Sequence, residues 1–220
     1  MSWSVGNVGT AVFANNADVT PACPVHASGQ ILFAAAAFRN KTAAAGELIS
    51  ETGSWIQLYD AIGIALFYKV ASGSSETDPT FQFAGGASGD TTGGVVFTTT
   101  GGSTTVQTSA GLDNSSSTNV SFSGLTISSE CLVIDIACVN DNRNFNKTVG
   151  WTEIVDSGSA LGTDMQMGIQ YLSTSLNTSA HVGTISASKS SQTVSIALQV
   201  AAASVGIMPI LHAQHMMRNL

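Results

Sequence analysis

The chain resembles itself at an offset of about a hundred residues, and an internal repeat constrains a fold more tightly than any single motif does. Ile31–Asn40 and Cys131–Asn140 are both apolar runs that end in a polar turn. Upstream, Asp18-Val-Thr-Pro21 falls over Asn119-Val-Ser-Phe122. Downstream, Asn40-Lys-Thr42 falls over Asn146-Lys-Thr148, and Trp55-Ile-Gln-Leu58 over Trp151-Thr-Glu-Ile154, with an insertion in the first copy. Each copy then supplies an apolar strand with a tyrosine, Gly63–Tyr68 and Gly168–Tyr171, and closes on Val95–Thr98 or Val194–Val200. Any two β-domains share apolar runs and tryptophans, so the common order is what points to a duplication. One large sandwich whose strands merely look alike is the alternative.

The elements are short apolar runs rich in Val, Ile, Phe and Ala, separated by Gly, Ser, Asn and Asp clusters that supply the backbone conformations turns need. This spacing predicts an all-β chain, a tandem β-sandwich of jelly-roll or immunoglobulin-like type. The expected division is a first sandwich repeat over 1–101, a second over 102–202 and a C-terminal docking helix over 203–220. Gly101–Asn119 reads as the boundary between the halves, although Thr104–Thr108 alternates well enough to pair as an edge strand. Ala34–Ala37 has helical propensity but sits inside a run read as a strand. From Pro209, a residue suited to a first helical turn, Ile210, Ala213, Met217 and Leu220 recur on one helical face. A helix this short is unstable alone in water and must find a groove.

Hydrophobic residues make up 44% of the chain and charged residues 10%, which excludes disorder for want of apolar material. A net charge of −7 leaves no basic patch, so phosphate-driven nucleic-acid binding is not expected. Cys23, Cys131 and Cys138 form no CxxC and read as small buried hydrophobes, with Cys131 and Cys138 on opposite faces of one strand. The N-terminal residues lack the basic start and continuous apolar core of a signal peptide, which makes the cytoplasm the expected compartment and the five Asn-x-Ser/Thr triplets incidental. The longest apolar stretch, Val194–Leu211, is broken by Ser195, Gln199, Ser204 and Pro209, so no membrane span is expected.

No catalytic set emerges. The Gly-x-Ser-x-Gly pentad of a nucleophile elbow is missing, and Gly85–Asp90, which contains Ser88, reads as a loop. His26 and His181 stand alone beside expected strand ends, while His212 and His215 lack acidic or thiol partners for a metal. Asp135 is the one acid inside an apolar run; its simplest place is the solvent side of a half-buried strand, and facing the core would require a partner or a raised pKa. Asn140–Asn144 offers oxygen atoms but lacks the ligand spacing of a calcium loop, so it reads as a turn. Trp55 and Trp151 read as equivalent core anchors, with a sugar-binding platform as the alternative, and Trp3 as the better contact for another subunit. No cofactor, metal or catalytic residue is expected.

The order of Ser28–Phe33, Trp55–Leu58, Ala65–Gly73 and Pro79–Gly86 resembles the β-sandwich virion proteins of tailed bacteriophages, found among decoration, tail and fibre-associated subunits. The resemblance covers residues 15–100 well and 117–202 more loosely, and its motifs encode a sandwich rather than a site. Tyr171-Leu-Ser stands where the first copy has Tyr68-Lys-Val, and the C-terminal helix has no counterpart. The resemblance implies a non-enzymatic structural component of the particle, made and assembled in the host cytoplasm. A head decoration protein that bridges capsid subunits is the first expectation; a tail, collar or fibre subunit is the second. The implied partners are the major capsid or tail protein and further copies of the chain, without nucleic acid or membrane. Trp3, Ile210, Ala213, Met217 and Leu220 are the expected interface residues. A carbohydrate-binding module recognising host glycans is the alternative of another class.

Overall fold

The computed structural model describes residues 3–39, 54–82, 90–101, 103–162 and 164–200. Among them are twelve strands and no helix. The first half supplies β1 (Ser4–Val8), β2 (Val12–Asn15), β3 (Ile31–Phe38), β4 (Ile56–Ala61), β5 (Ile64–Val70) and β6 (Thr91–Thr100). The second supplies β7 (Val106–Phe122), β8 (Cys131–Val139), β9 (Phe145–Asn146), β10 (Thr152–Ser159), β11 (Met165–Thr174) and β12 (His181–Gln199). The C-terminal helix, with Ile210, Ala213, Met217 and Leu220, lies outside the described residues, as do His212, His215 and Ser88.

Each half forms one antiparallel six-stranded sheet, and the two sheets run in the same order. The first is β1-β6-β3-β5-β4 with β2 also on β6; the second is β7-β12-β8-β11-β10 with β9 on β12. Registers match as well. Phe33 lies opposite Tyr68 and Phe97, and Ile134 opposite Tyr171 and Ile196. The residue after each tryptophan, Ile56 or Thr152, pairs with that half's tyrosine. These registers equate Ile31 with Leu132, one residue along from the match with Cys131 made on the sequence. The correction matters because a one-residue slip exchanges the two faces of a strand.

With that register the equivalent residues share a face. Phe33 and Ile134, Ala35 and Ile136, Leu66 and Ile169, and Phe97 and Ile196 all belong to one cluster buried between the sheets. Strand β3 lies against β8, β6 against β11, and β5 against β12. The second and third of these contacts exchange when the halves are exchanged, so the halves meet by the same surface, as the subunits of a two-fold dimer do. The outer face of the first sheet carries its own apolar cluster, in which Trp55, Phe81 and Val19 join Leu32, Ala34, Ala36, Phe67 and Val96. The outer face of the second sheet carries two smaller clusters, one around Phe122 and Phe145, the other around Cys131, Val133 and Trp151.

Ala34–Ala37 is strand, fully buried between β5 and β6, where ladder hydrogen bonds and burial outweigh an isolated alanine's helical preference. The segment read as a boundary is instead mostly strand. Apart from Ser103, its Ser and Asn residues lie in β7, an edge strand exposed along much of one side, where polar side chains need no burial. The turn from β4 to β5 has positive φ at Ile62 (48°) and Gly63 (73°), the mirror-image turn that matches strand twist. Isoleucine is an unfavourable residue there. Its Cδ1 lies where a side chain on Gly111 of β7 would be, so the turn of one half is seated on a strand of the other.

Candidate functional site

The polar centre of the molecule is a row across three strands on the outer face of the second sheet. Asp135 of β8 has Gln170 of β11 opposite it on one side and Ser195 of β12 on the other. All three are fully buried. The Asp135 side chain therefore points away from the central core yet does not reach solvent, contrary to the solvent-side expectation. An outer layer covers it: Phe122 of β7, the Thr148–Trp151 turn, and His181 at the start of β12.

Bonding in the row is directional. Gln170 Nε2 donates to Asp135 Oδ2 at 2.8 Å and to Thr148 Oγ1 at 3.0 Å, while Thr148 N–H donates to Gln170 Oε1 at 2.7 Å. His181 Nε2 stands 2.7 Å from the same Oδ2, and its Nδ1 stands 2.9 Å from the Ser179 carbonyl. The Ser179 oxygen only accepts, so Nδ1 carries hydrogen. The imidazole is stacked between Trp151, with centroids 4.4 Å apart and planes at 21°, and Phe122, at 5.3 Å and 12°. Burial raises the Asp135 carboxyl pKa above its ordinary value against the opposing pull of His181. For His181 burial disfavours the charge, but the bond to Asp135 and its charge outweigh it and raise the imidazole. Both directions favour the protonated form of the group concerned.

Serine, histidine and aspartate meet here, but not in the order hydrolysis requires. A nucleophilic serine needs histidine between itself and the acid. In this row the carboxylate is in the middle, and both imidazole nitrogens are engaged, one by Asp135 and one by Ser179. The arrangement can hold or release a proton; it offers no base to a nucleophile.

The remaining expected positions are distributed through the molecule. Trp55 and Trp151 are buried at equivalent places just before β4 and β10, each in an outer cluster of its own sheet. Trp3, expected to contact another subunit, is 3% exposed and packed into the central cluster of its own chain. Cys131 and Cys138 face opposite sides of β8, one in an outer cluster and one in the central core. Cys23, Cys131 and Cys138 are all free thiols, and burial pushes Cys23 and Cys138 up to about 12. Asp141, in the Asn140–Asn144 turn, takes Lys189 Nζ at 2.5 Å and Arg143 Nε at 3.3 Å, and the Lys189 bond first of all holds it below the usual carboxylate range. His26 Nδ1 lies 2.6 Å from the Pro24 carbonyl. An open depression of about 500 Å³ lies between Asn7–Thr10 and Ala22–Val25, with Val8 and Val25 exposed at its rim.

The sequence marked Asp135 as out of place and left His181 as a lone histidine. Nothing in the spacing brought the two together, because their contact depends on the course of the long β12, whose start pairs with β7 and β9 while only Ser191–Gln199 pairs with β8, after register shifts between Thr184 and Ser191. Comparison with protein-family models, with curated proteins and with solved structures finds no match.

Proposed function

We propose that the protein is a non-enzymatic structural component of a tailed-phage virion, in the first place a head decoration protein that stabilises the shell by bridging neighbouring capsid subunits. The observation that carries this reading is the body itself: two sheets of the same strand order, buried against each other by the same face. Its charge-poor composition supports the reading further, because charged residues are depleted at the cores of protein interfaces. A tail, collar or fibre-associated position is the nearest variant of the same proposal.

Mass spectrometry of purified particles, with copy number, tests it. A decoration role predicts many copies per head and rebinding of the isolated protein to heads stripped of it. Few copies, retained with purified tails, would move the assignment to the tail. Absence from particles together with binding on a glycan array would replace it with the carbohydrate-binding alternative.

A further inference from the structure

The two outer faces differ at one equivalent place, and the difference is chemical. In the first sheet the three residues across β5, β3 and β6 are Phe67, Ala34 and Val96. At the matching registers the second sheet has Gln170, Asp135 and Ser195. Trp55 lies over the apolar row's cluster and Trp151 beside the polar one. The same scaffold thus closes one outer layer with hydrocarbon, so a polar row is not needed for closure. What the polar row adds is a proton.

We propose that Asp135 and His181 form a proton-held latch on the outer layer of the second sheet, closed while the pair shares one proton and released as that proton is lost. Because His181 Nδ1 carries the hydrogen donated to Ser179, only Nε2 faces Asp135 Oδ2, and a separation of 2.7 Å requires a proton between them. Without it a lone pair confronts a buried carboxylate, a repulsive contact in a poorly solvated place. The imidazole is also the middle of the Trp151–His181–Phe122 stack. It begins β12 opposite Phe122, close to the bridge between Leu125 and Thr178. Displacing the ring therefore unseats Trp151 and the start of β12 together.

The groups that face the pair are known on each side. β11 presents Gln170, β12 presents Ser195, the turn before β10 presents Thr148 and Trp151, and β7 presents Phe122; none of these is charged. Lys147, next to Thr148, is exposed, and the Cys131 thiol of the adjoining cluster is held neutral by burial. Among the described residues, the charge of the latch is thus set by the pair. The closed form binds the proton more tightly than an open form with an ordinary histidine, so opening releases a proton and is favoured as pH rises above about 6.5.

Native-state hydrogen exchange of the full chain from about pH 6 to about pH 9, corrected for intrinsic amide rates, reads the latch. The opening constant of residues 120–127, 148–152 and 178–183 should rise with pH, by at most about tenfold per unit for one released proton, while the first sheet's outer layer around Trp55 and Phe81 stays level. In the Asp135→Asn variant no carboxylate remains to hold the proton on Nε2, and the slope should vanish. Imidazole resonances of the unaltered protein give a reading that needs no variant: His181 should keep its shared proton at a pH where exposed histidine has lost its charge. An equal slope in both proteins, no slope in the unaltered one, or titration of His181 at ordinary histidine pH would overturn the proposal.

Discussion

Asp135 tolerates full burial because Gln170 and His181 both meet Oδ2, and the two partners are not equivalent in what their loss leaves behind. Removing the carboxylate leaves an imidazole that can simply be neutral, a cost of about 1–3 kcal/mol for one unsatisfied buried group. Removing the imidazole leaves a buried carboxylate without its counter-charge, a cost of about 3–5 kcal/mol. His181→Ala should therefore lower stability more than Asp135→Ala at neutral pH, as read by denaturant midpoints. The sign of the pH dependence follows from the same pair. Both folded-state pKa values are raised, so the pair's contribution is fully present below the unfolded pKa values and is lost as pH rises through the folded ones. Unaltered protein should lose stability from neutral toward alkaline pH, and a variant lacking both groups should lose less. The acid was legible as an anomaly in an apolar run; the histidine was not, since a lone histidine carries no signal of what it will touch.

Among the elements, β9 is the shortest and has a clear packing role. Its Phe145 ring is buried between Gly168 of β11 and Gly183 of β12, and a Cβ on either glycine would overlap the ring. Phe122 packs edge-on against the same ring, with centroids 6.2 Å apart. With neighbours on these sides the ring has little room to yield, so Gly168→Ala should cost about 1–3 kcal/mol by overpacking, checked by thermal melting. Substituting Gly150, which has no neighbour near its missing Cβ but a φ of 87°, should instead act through backbone strain. Strand runs such as Ala34–Phe38 and Cys131–Val139 were legible from apolar content between turn signals. The extent of β7 was not, because a solvated edge strand rich in Ser and Asn looks like a loop until its partner β12 is in place.

For the whole molecule the shared core decides the behaviour. Phe33, Leu66 and Phe97 of one sheet and Ile134, Ile169 and Ile196 of the other form a single cluster, so neither inner face is covered by its own half. Unfolding should be one cooperative transition by calorimetry. Ile134→Ala, at an expected cost of about 2–5 kcal/mol for a buried aliphatic truncation, should shift the loss of structure in both sheets equally. Two separate transitions, with only the second sheet shifted, would show instead that each half carries an independent core.

The sequence by itself determined the all-β class, the apolar strand runs, the repeat and the equivalence of the two tryptophan positions, because periodicity, turn residues and order are properties of the chain read along its length. Tertiary structure decided the rest. It placed equivalent strands face to face, moved the repeat's register by one residue, buried Trp3 in the core and joined Asp135 to His181. Each of these depends on which strands become neighbours and which face they turn inward. Local residue preferences do not specify that choice; burial of one continuous apolar surface and the pairing of polar groups left inside it do.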